Sequence, residues 1–260
     1  MLIALDIDGT LVNGGEPLSP KAKDILSRLV KEGHEVIFAS GRPIRAIMPY
    51  YRAIDCSSPI IAYNGLWSHR PETLGKKPGY VFKKEVVQEI FDKCKDKLES
   101  FMAESETTIY SSTHDDYLDT FFPYKGMKEI TSPNLKLEED VLTVLFCASP
   151  MDDKYIQELV ESYPGYGYRH WTNSPYSEMY RKGITKGFGL ELIQKALNIG
   201  KENTIAIGDS DNDFEMLERA KYAYAVKGCK SKKLLSSFPT TEKGLDEDGA
   251  VLELEKLLLK

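Results

Sequence analysis

Short apolar runs alternate with amphipathic stretches toward both ends of the chain. Four of these runs have the length and composition of buried strands in a parallel sheet. They lie at residues 2–5, 35–39, 59–63 and 203–207. Residues 20–33 and 185–199 instead place apolar side chains at helical spacing. Strands and helices in this alternation predict an α/β fold, with helices on both faces of a parallel sheet.

The pattern changes between about residue 83 and residue 180. The elements predicted here are a helix near 84–100, strands near 106–110, 141–147 and 166–172, and a helix near 151–163. This mixture predicts a second, α+β domain inserted into the first, because insertions are tolerated at exposed connections. The core domain then comprises residues 1–82 and 181–260, and the insert comprises residues 83–180.

The charge distribution separates the same two parts. Residues 83–180 carry 10 basic and 19 acidic side chains, whereas the rest of the 260-residue chain carries 24 basic and 21 acidic ones. The formal net charge of −6 disfavours a nucleic-acid partner, which would need a basic face. We also expect no membrane partner, because the sequence lacks an apolar run of about 18 residues.

The cysteines indicate the compartment. Cys56, Cys94, Cys147 and Cys229 are far apart and form no CxxC pair, so their spacing does not suggest zinc. In a chain of this length they are typical of buried thiols in a reducing compartment, and we expect a cytoplasmic protein. For its oligomeric state we expect a monomer or a weak homodimer.

Polar residues or glycines directly follow each of the four predicted strands. The carboxyl ends of parallel strands meet at one edge of a sheet, so these residues converge if the strands are neighbours. The acidic members of the group are Asp6, Asp8, Asp209 and Asp213. Several carboxylates at close range repel one another unless a cation lies among them, and an all-oxygen site favours Mg²⁺.

Hydrogen-bond donors follow the same strands. They are Arg42, Lys186 and the backbone N–H groups of Gly9, Gly41 and Gly208. Phosphate suits such a set, because it needs donors at close range and glycine allows the backbone to approach. The spacing therefore predicts a phosphoryl site assisted by Mg²⁺.

The motifs resemble those of a known family. Residues 6–10 read Asp-Ile-Asp-Gly-Thr and resemble the D-x-D-G-T signature of haloacid dehalogenase-like phosphatases. Ser40, Lys186 within 183–187, and the segment 208–213 match the other three motifs in order. The long gap before Lys186, and Asp-Glu-Asp-Gly-Ala at 246–250, are similar to the Cof-type sugar-phosphate phosphatases. This resemblance implies a Rossmann-like three-layer core, with the insert as a large cap that selects the substrate.

The resemblance also implies roles for individual residues. Asp6 would be the nucleophile, and Asp8 would be the general acid and then the general base. Asp6, the backbone carbonyl of Asp8, and Asp209 would hold Mg²⁺, with Asp213 at the same site to support Lys186 or a metal-bound water. The groups expected to hold the phosphoryl oxygens are Ser40, Lys186, Asn212 and the backbone of Ile7 and Gly41.

Two further positions allow more than one interpretation. Arg42 would either contact the substrate phosphate or pair with a core carboxylate, since a guanidinium binds both. Asn64-Gly65 is typical of a hairpin turn, which would place Asn64 at most behind the site.

The sequence as a whole predicts a Mg²⁺-dependent phosphatase. It would hydrolyse small phosphorylated metabolites, foremost sugar phosphates, through an aspartyl phosphate. A phosphomutase that passes the phosphoryl group from Asp6 to a sugar hydroxyl has the same motifs and remains an alternative. A non-catalytic sensor that is only phosphorylated on Asp6 is the other alternative, although Asp8 would shorten the lifetime of its phosphorylated form.

Overall fold

The computed structural model describes residues 1–71, 79–171 and 174–259. In chain order, strands β1 to β13 span Leu2–Leu5, Glu35–Phe38, Ile60–Ala62, Trp67–His69, Ser100–Glu104, Thr108–Ser111, Lys128–Thr131, Thr143–Cys147, Tyr166–His170, Tyr176–Arg181, Thr204–Gly208, Tyr222–Lys227 and Thr240–Gly244. Helices α1 to α9 span Pro20–Lys31, Ile44–Ala53, Lys84–Cys94, Asp116–Asp119, Pro150–Glu161, Lys186–Leu197, Phe214–Glu218, Lys232–Ser237 and Gly249–Leu258. None of the helices in these described ranges is both long enough and apolar enough to cross a membrane.

The chain divides into two units, residues 1–77 with 184–260 and residues 78–183. The first unit contains a parallel sheet in the order β13-β12-β11-β1-β2. A parallel bridge between Ala39 and Ile61 places β3 beside β2. The four strands predicted from the sequence are therefore consecutive neighbours, and the predicted α/β fold with a parallel sheet is confirmed.

Both faces of this sheet carry helices. Leu2 and Ala4 of β1 belong to a buried cluster with Leu190 of α6 and Met216 of α7. Helices α1 and α9 contact β2 and β12 respectively. Because successive side chains of a strand point to opposite faces, each central strand contributes to two apolar layers, and the layer order is helix, sheet, helix.

Local sequence signals define the ends of the two predicted helices. The Ser19 hydroxyl accepts the N–H of Ala22 at 2.9 Å, and Pro20 occupies the first helical position of α1. The predicted helix 20–33 ends slightly earlier, at Lys31. The predicted helix 185–199 is α6, which ends at Leu197 because Asn198 adopts a left-handed conformation with φ +54°.

The second unit is built on a mixed sheet in the order β7-β6-β5-β8-β10-β9. The pairing of β6 with β7 is parallel, and the other pairings are antiparallel. Its predicted strands correspond to β6, β8 and β9; the predicted strand 166–172 ends at His170, and residue 172 lies outside the described residues. The role of this unit as a cap stays a prediction.

The predicted helix 84–100 is wrong at its C-terminal end. Helix α3 ends at Cys94, a short 3₁₀ turn follows, and strand β5 begins at Ser100. All five residues of β5 are buried, and the strand pairs on both sides, with β6 and with β8. Its residues do not alternate between apolar and polar, and burial between two partners overrides their weak local preference.

Candidate active site

Asp6 directly follows β1 and lies at the carboxyl edge of the parallel sheet. Its N–H donates to the carbonyl oxygen of Ile207 at 3.1 Å, and its side chain is buried. The chain then turns tightly, since the N–H groups of residues 10–12 all donate to the carbonyl oxygen of Ile7. This turn fixes Asp6 and Asp8 at the end of β1.

Lys186 begins α6 and provides one buried cation of the site. The Thr185 hydroxyl caps the helix by accepting the N–H of Phe188 at 3.1 Å. Lys186 Nζ donates to Asp6 Oδ1 at 2.5 Å and to Asp213 Oδ1 at 2.7 Å. The dipole of α6 disfavours a cation at the N-terminus of the helix. The carboxylates of Asp6 and Asp213 offset this effect and stabilise the charge of Lys186.

Asp213 organises the loop that follows β11. Its Oδ2 accepts the N–H groups of Asp209 and Ser210, each at 3.0 Å. The Ser210 hydroxyl in turn donates to Asp209 Oδ2 at 3.1 Å. Both oxygens of the fully buried Asp213 thus accept hydrogen bonds from the protein, and its predicted place at the metal site stays a prediction.

Burial dominates the electrostatics of the carboxylates. It raises the pKa of Asp6 well above the ordinary value, against the opposing effect of Lys186, and the neighbouring acids add to the increase. Burial, followed by the charge of Asp213, raises the pKa of Asp209 to about 7. Burial alone would lower the pKa of Lys186, but Asp213 and Asp6 together raise it above its ordinary value. The acids therefore resist simultaneous ionisation unless further positive charge is present.

The donor set fits a small hard cation. Asp6, Asp209 and Asp213 each offer one oxygen, and these atoms lie within 4.8 Å of one another. Asp6 Oδ2 and Asp209 Oδ1 are buried and have no hydrogen-bond partner among the described residues. Gly9, with φ +82°, lies directly against Asp209, so an added Cβ would come within 2.6 Å of its Cγ. Unsatisfied carboxylate oxygens in a tight cradle are the ligands that Mg²⁺ prefers.

Asp8 is bound by Arg42 through two hydrogen bonds. Arg42 Nε donates to Asp8 Oδ2 at 2.7 Å, and Nη2 donates to Oδ1 at 2.5 Å. Arg42 is buried, whereas the side chain of Asp8 is 30% exposed. The guanidinium also lies 5.7 Å from the centre of the Tyr50 ring. The structure thus shows Arg42 paired with Asp8, whereas a contact of Arg42 with the substrate phosphate stays a prediction.

Three other residues of the predicted site lie around Asn64, namely Ser40, Gly41 and Asn212. The buried Ser40 hydroxyl accepts the N–H of Arg42 at 3.1 Å. Asn212 Nδ2 donates to Asn64 Oδ1 at 3.0 Å. A Cβ added to Gly41 would lie 3.0 Å from Asn64 Nδ2. Asn64 therefore lies between the segment that contains Ser40 and the loop that contains Asn212.

The family model described as haloacid dehalogenase-like hydrolase matches residues 3–248. The chain belongs to this family. The 5-amino-6-(5-phospho-D-ribitylamino)uracil phosphatase YitU of Bacillus subtilis is 30% identical over an alignment of 265 positions, which covers 98% of this chain and 96% of that protein. The mannosyl-3-phosphoglycerate phosphatase of Pyrococcus horikoshii is 29% identical over an alignment of 242 positions, which covers 89% of this chain and 93% of that protein. Both relatives agree with the predicted phosphoric monoester hydrolase.

A solved structure shows the same fold. A haloacid dehalogenase-like hydrolase from Bacteroides thetaiotaomicron superimposes with a TM-score of 0.83, at 22% sequence identity, over 99% of each chain. The match includes the inserted unit as well as the parallel sheet. The predicted resemblance to this hydrolase family is thus confirmed for sequence and for fold.

In this hydrolase, the structure brings the charged residues of the predicted site together in two connected groups. Asp6, Lys186, Asp213 and Asp209 form the first group, and Asp8 with Arg42 forms the second, joined to the first through residues 6–8. The predicted Asn64-Gly65 hairpin turn is found between β3 and β4; the contact of Asn64 with Asn212 was not predicted, although the position of Asn64 at the end of a predicted strand was a usable signal. Tyr50, which lies beside Arg42, carries no such signal.

Proposed function

We propose that the protein is a Mg²⁺-dependent phosphatase that hydrolyses small phosphorylated metabolites through an aspartyl phosphate on Asp6. One observation carries the proposal. The buried Asp6 carboxylate is anchored through Oδ1 to Lys186, while its Oδ2 has no hydrogen-bond partner among the described residues. A carboxylate that is oriented and left with one unsatisfied oxygen is suited to nucleophilic attack.

In the first step, a carboxylate oxygen of Asp6 attacks the phosphorus atom of the substrate. The bond between phosphorus and the leaving oxygen breaks, and protonated Asp8 donates its proton to that oxygen. In the second step, a water attacks the phosphorus of the aspartyl phosphate and Asp8 accepts its proton. The bond to Asp6 then breaks, so phosphate leaves and both carboxyl groups return to their starting states.

The surrounding donors stabilise the charge on the transferred group. Lys186, Ser40, Asn212 and the backbone N–H groups of Ile7 and Gly41 are proposed to hold the phosphoryl oxygens. Fixed donors in a buried site are effective because they need no reorganisation when charge develops. Arg42 is assigned to the orientation of Asp8, on the basis of its two hydrogen bonds to that carboxylate.

The metal is proposed to bind between Asp6 and Asp209, with the backbone carbonyl of Asp8 as a third protein ligand. Mg²⁺ bound there would supply positive charge opposite the phosphoryl oxygens. Asp213 is assigned to the support of Lys186 and of the loop after β11, because both of its oxygens accept hydrogen bonds from the protein. The inserted unit is proposed to select the substrate, as the family resemblance implies.

The names of the relatives suggest substrates to test. One acts on a phosphorylated ribitylaminouracil, and another is named a pyridoxal phosphate phosphatase. A cytoplasmic location is proposed alongside, because Cys56, Cys94, Cys147 and Cys229 form no disulfide with one another, as is typical of proteins in a reducing compartment.

The experiment measures phosphate release from hexose phosphates, a pentose phosphate, a nucleotide, pyridoxal phosphate and the phosphorylated ribitylaminouracil. Each assay contains either Mg²⁺ or EDTA. We expect release that depends on Mg²⁺ from at least one compound. Formation of an isomeric sugar phosphate without free phosphate would show that the protein is a phosphomutase. A long-lived phosphorylated protein without turnover would show that it is a sensor.

A further inference from the structure

The turn between β3 and β4 has an unusual backbone. Tyr63, Asn64 and Gly65 are consecutive and have φ values of +50°, +53° and +104°. Glycine and asparagine adopt positive φ readily, whereas a bulky residue such as tyrosine rarely does. A strained turn of this kind persists only where the surrounding contacts hold it, and such turns are concentrated at functional sites.

The first of these contacts is with the segment that contains Ser40. The N–H of Asn64 donates to the carbonyl oxygen of Ser40 at 3.0 Å, and the N–H of Tyr63 donates to that of Arg42 at 3.1 Å. The space between Gly41 and the Asn64 amide is too small for an added Cβ without a shift. The turn therefore sets the path of residues 40–42.

The second contact is with the start of α6. A Cβ added to Gly65 would lie 2.8 Å from the carbonyl carbon of Thr185 and 3.5 Å from the backbone nitrogen of Lys186. Only glycine permits this approach, and its φ of +104° also requires glycine. The turn is thus packed directly against the residue that carries the buried ammonium group.

The third contact is with Asn212. Its Nδ2 donates to Asn64 Oδ1 at 3.0 Å. The buried Oδ1 of Asn212 has no hydrogen-bond partner among the described residues. Because an amide nitrogen donates and an amide oxygen accepts, this contact places Nδ2 of Asn212 toward the oxygen of Asn64.

We propose that the Asn64-Gly65 turn is a positioning element of the phosphoryl site, and that the Asn64 side chain sets the orientation of the Asn212 amide. One short turn would then hold residues 40–42, Lys186 and Asn212 in fixed positions relative to one another. The inference rests on the proposed function, because these relative positions matter only if the residues hold a phosphoryl group. Asn64 acts through Asn212, so it is a positioning residue.

The first test replaces Asn64 by glycine, which accepts the left-handed backbone and removes only the side chain. Asn198→Gly is the matched control, because Asn198 has φ +54° and is exposed at the end of α6. We expect N64G to lower kcat/KM by about 10–100-fold, since a small misplacement near the reacting atoms is costly. N198G should stay within about twofold of the wild type, with both variants unfolding at similar temperatures.

A second readout separates positioning from general structural support. If Asn64 acts through Asn212, the double variant N64G/N212A should lose no more activity than N212A alone. Asn64→Asp keeps the acceptor oxygen and tolerates the left-handed backbone. It should restore kcat relative to N64G, while its added charge raises KM for an anionic substrate. This variant also serves if N64G does not fold.

Failure of the inference and failure of the proposed function are distinguishable. If the wild type releases no phosphate, the proposed function fails, and the variants are then ranked by calorimetric binding of inorganic phosphate with Mg²⁺ present. The inference still predicts weaker binding by N64G and N212A than by N198G. Wild-type behaviour of N64G, or additive losses in the double variant, would overturn the inference.

Discussion

At the scale of single residues, the site is a set of carboxylates balanced by two cations. Lys186 pairs with Asp6 and Asp213, and Arg42 pairs with Asp8. Removing one partner of a buried pair leaves an uncompensated charge and typically costs about 3–5 kcal/mol. The buried Lys186 is therefore expected to be as important for folding as for catalysis.

The pair of Arg42 and Asp8 predicts that the loss of activity on replacing Arg42 depends on the leaving group of the substrate. Arg42→Lys removes the two-point contact with Asp8, so the proton donor loses its orientation. We expect kcat for alkyl phosphates such as sugar phosphates to fall by about tenfold or more. Release from p-nitrophenyl phosphate should fall much less, because that leaving group needs no proton.

Arg52→Lys, at an exposed position on α2, is the control for the same chemical change. Steady-state kinetics with both substrates decides the outcome. An equal loss with the two leaving groups, accompanied by a higher KM, would show that Arg42 contacts the substrate instead of orienting Asp8.

The raised pKa of Asp209 predicts that the stability of the metal-free protein depends on pH. Its pKa is raised to about 7 in the folded protein, chiefly by burial. The folded state thus keeps a proton that the unfolded state has lost, and stability falls as pH rises from about 4 through about 7. Asp209→Asn removes this penalty, so in EDTA at pH 8 the variant should have the higher Tm.

Thermal unfolding at several pH values checks this prediction. The difference should be several degrees at pH 8, since about 1 kcal/mol moves Tm by about 2–4 °C in a chain of this size, and it should vanish near pH 4. Mg²⁺ at pH 8 should raise the Tm of the wild type more than that of the variant. A wild type that is the more stable protein in EDTA at pH 8 would contradict the assignment.

Most site residues could be predicted because their chemistry and their position after a strand are visible in the sequence. Their pairing could not be predicted in the same way. A guanidinium binds phosphate and carboxylate with the same geometry, so sequence alone left both partners open for Arg42. Asn64 lies 148 positions from Asn212, and the local Asn-Gly signal indicates only the turn.

At the scale of elements, the turn after β1 has no space for a side chain at Gly9. Gly9→Ala would introduce a Cβ against the Asp209 carboxylate and an alanine at φ +82°. Gly33→Ala is a close control, because Gly33 has φ +83° and no atom within 4 Å of an added Cβ. In both variants, alanine in the left-handed backbone conformation lowers the free energy of unfolding by about 1–2 kcal/mol.

Only Gly9→Ala should also disturb the proposed metal ligands. We expect it to weaken Mg²⁺ binding, measured by calorimetry, by about tenfold or more, because displaced ligands lose metal affinity. Gly33→Ala should bind Mg²⁺ like the wild type. Equal affinities for Mg²⁺ in the two variants would show that Asp209 does not contribute to the metal site.

Elements of the parallel sheet could be predicted better than those of the inserted unit. Buried parallel strands are continuous apolar runs bounded by polar residues, as in Leu2–Leu5 and Thr204–Gly208. In the inserted unit, the strand Ser100–Glu104 follows a helix with no clear change of pattern. Its structure is fixed by pairing with distant strands, which a local pattern does not contain.

At the scale of the whole molecule, the parallel sheet assembles a site from distant parts of the chain. Asp6 and Lys186 are 180 positions apart, and the unit of residues 78–183 is inserted between them. A parallel sheet achieves this because each strand delivers its carboxyl end to the same edge. The insertion therefore leaves Asp6 and Lys186 in direct contact, with 2.5 Å between Lys186 Nζ and Asp6 Oδ1.

The most direct test of the central claim is mass spectrometry of the Asp8→Asn variant after brief reaction with acetyl phosphate and Mg²⁺. The acetate that leaves acetyl phosphate needs no proton, so the variant can still be phosphorylated. The variant lacks the base that activates water, so the phosphoryl group should remain on the protein. We expect the peptide containing Asp6 to gain one phosphoryl group, and the double variant Asp6→Asn/Asp8→Asn to gain none. A phosphoryl group elsewhere, or none at all while the wild type hydrolyses acetyl phosphate, would contradict the assignment of Asp6 as nucleophile.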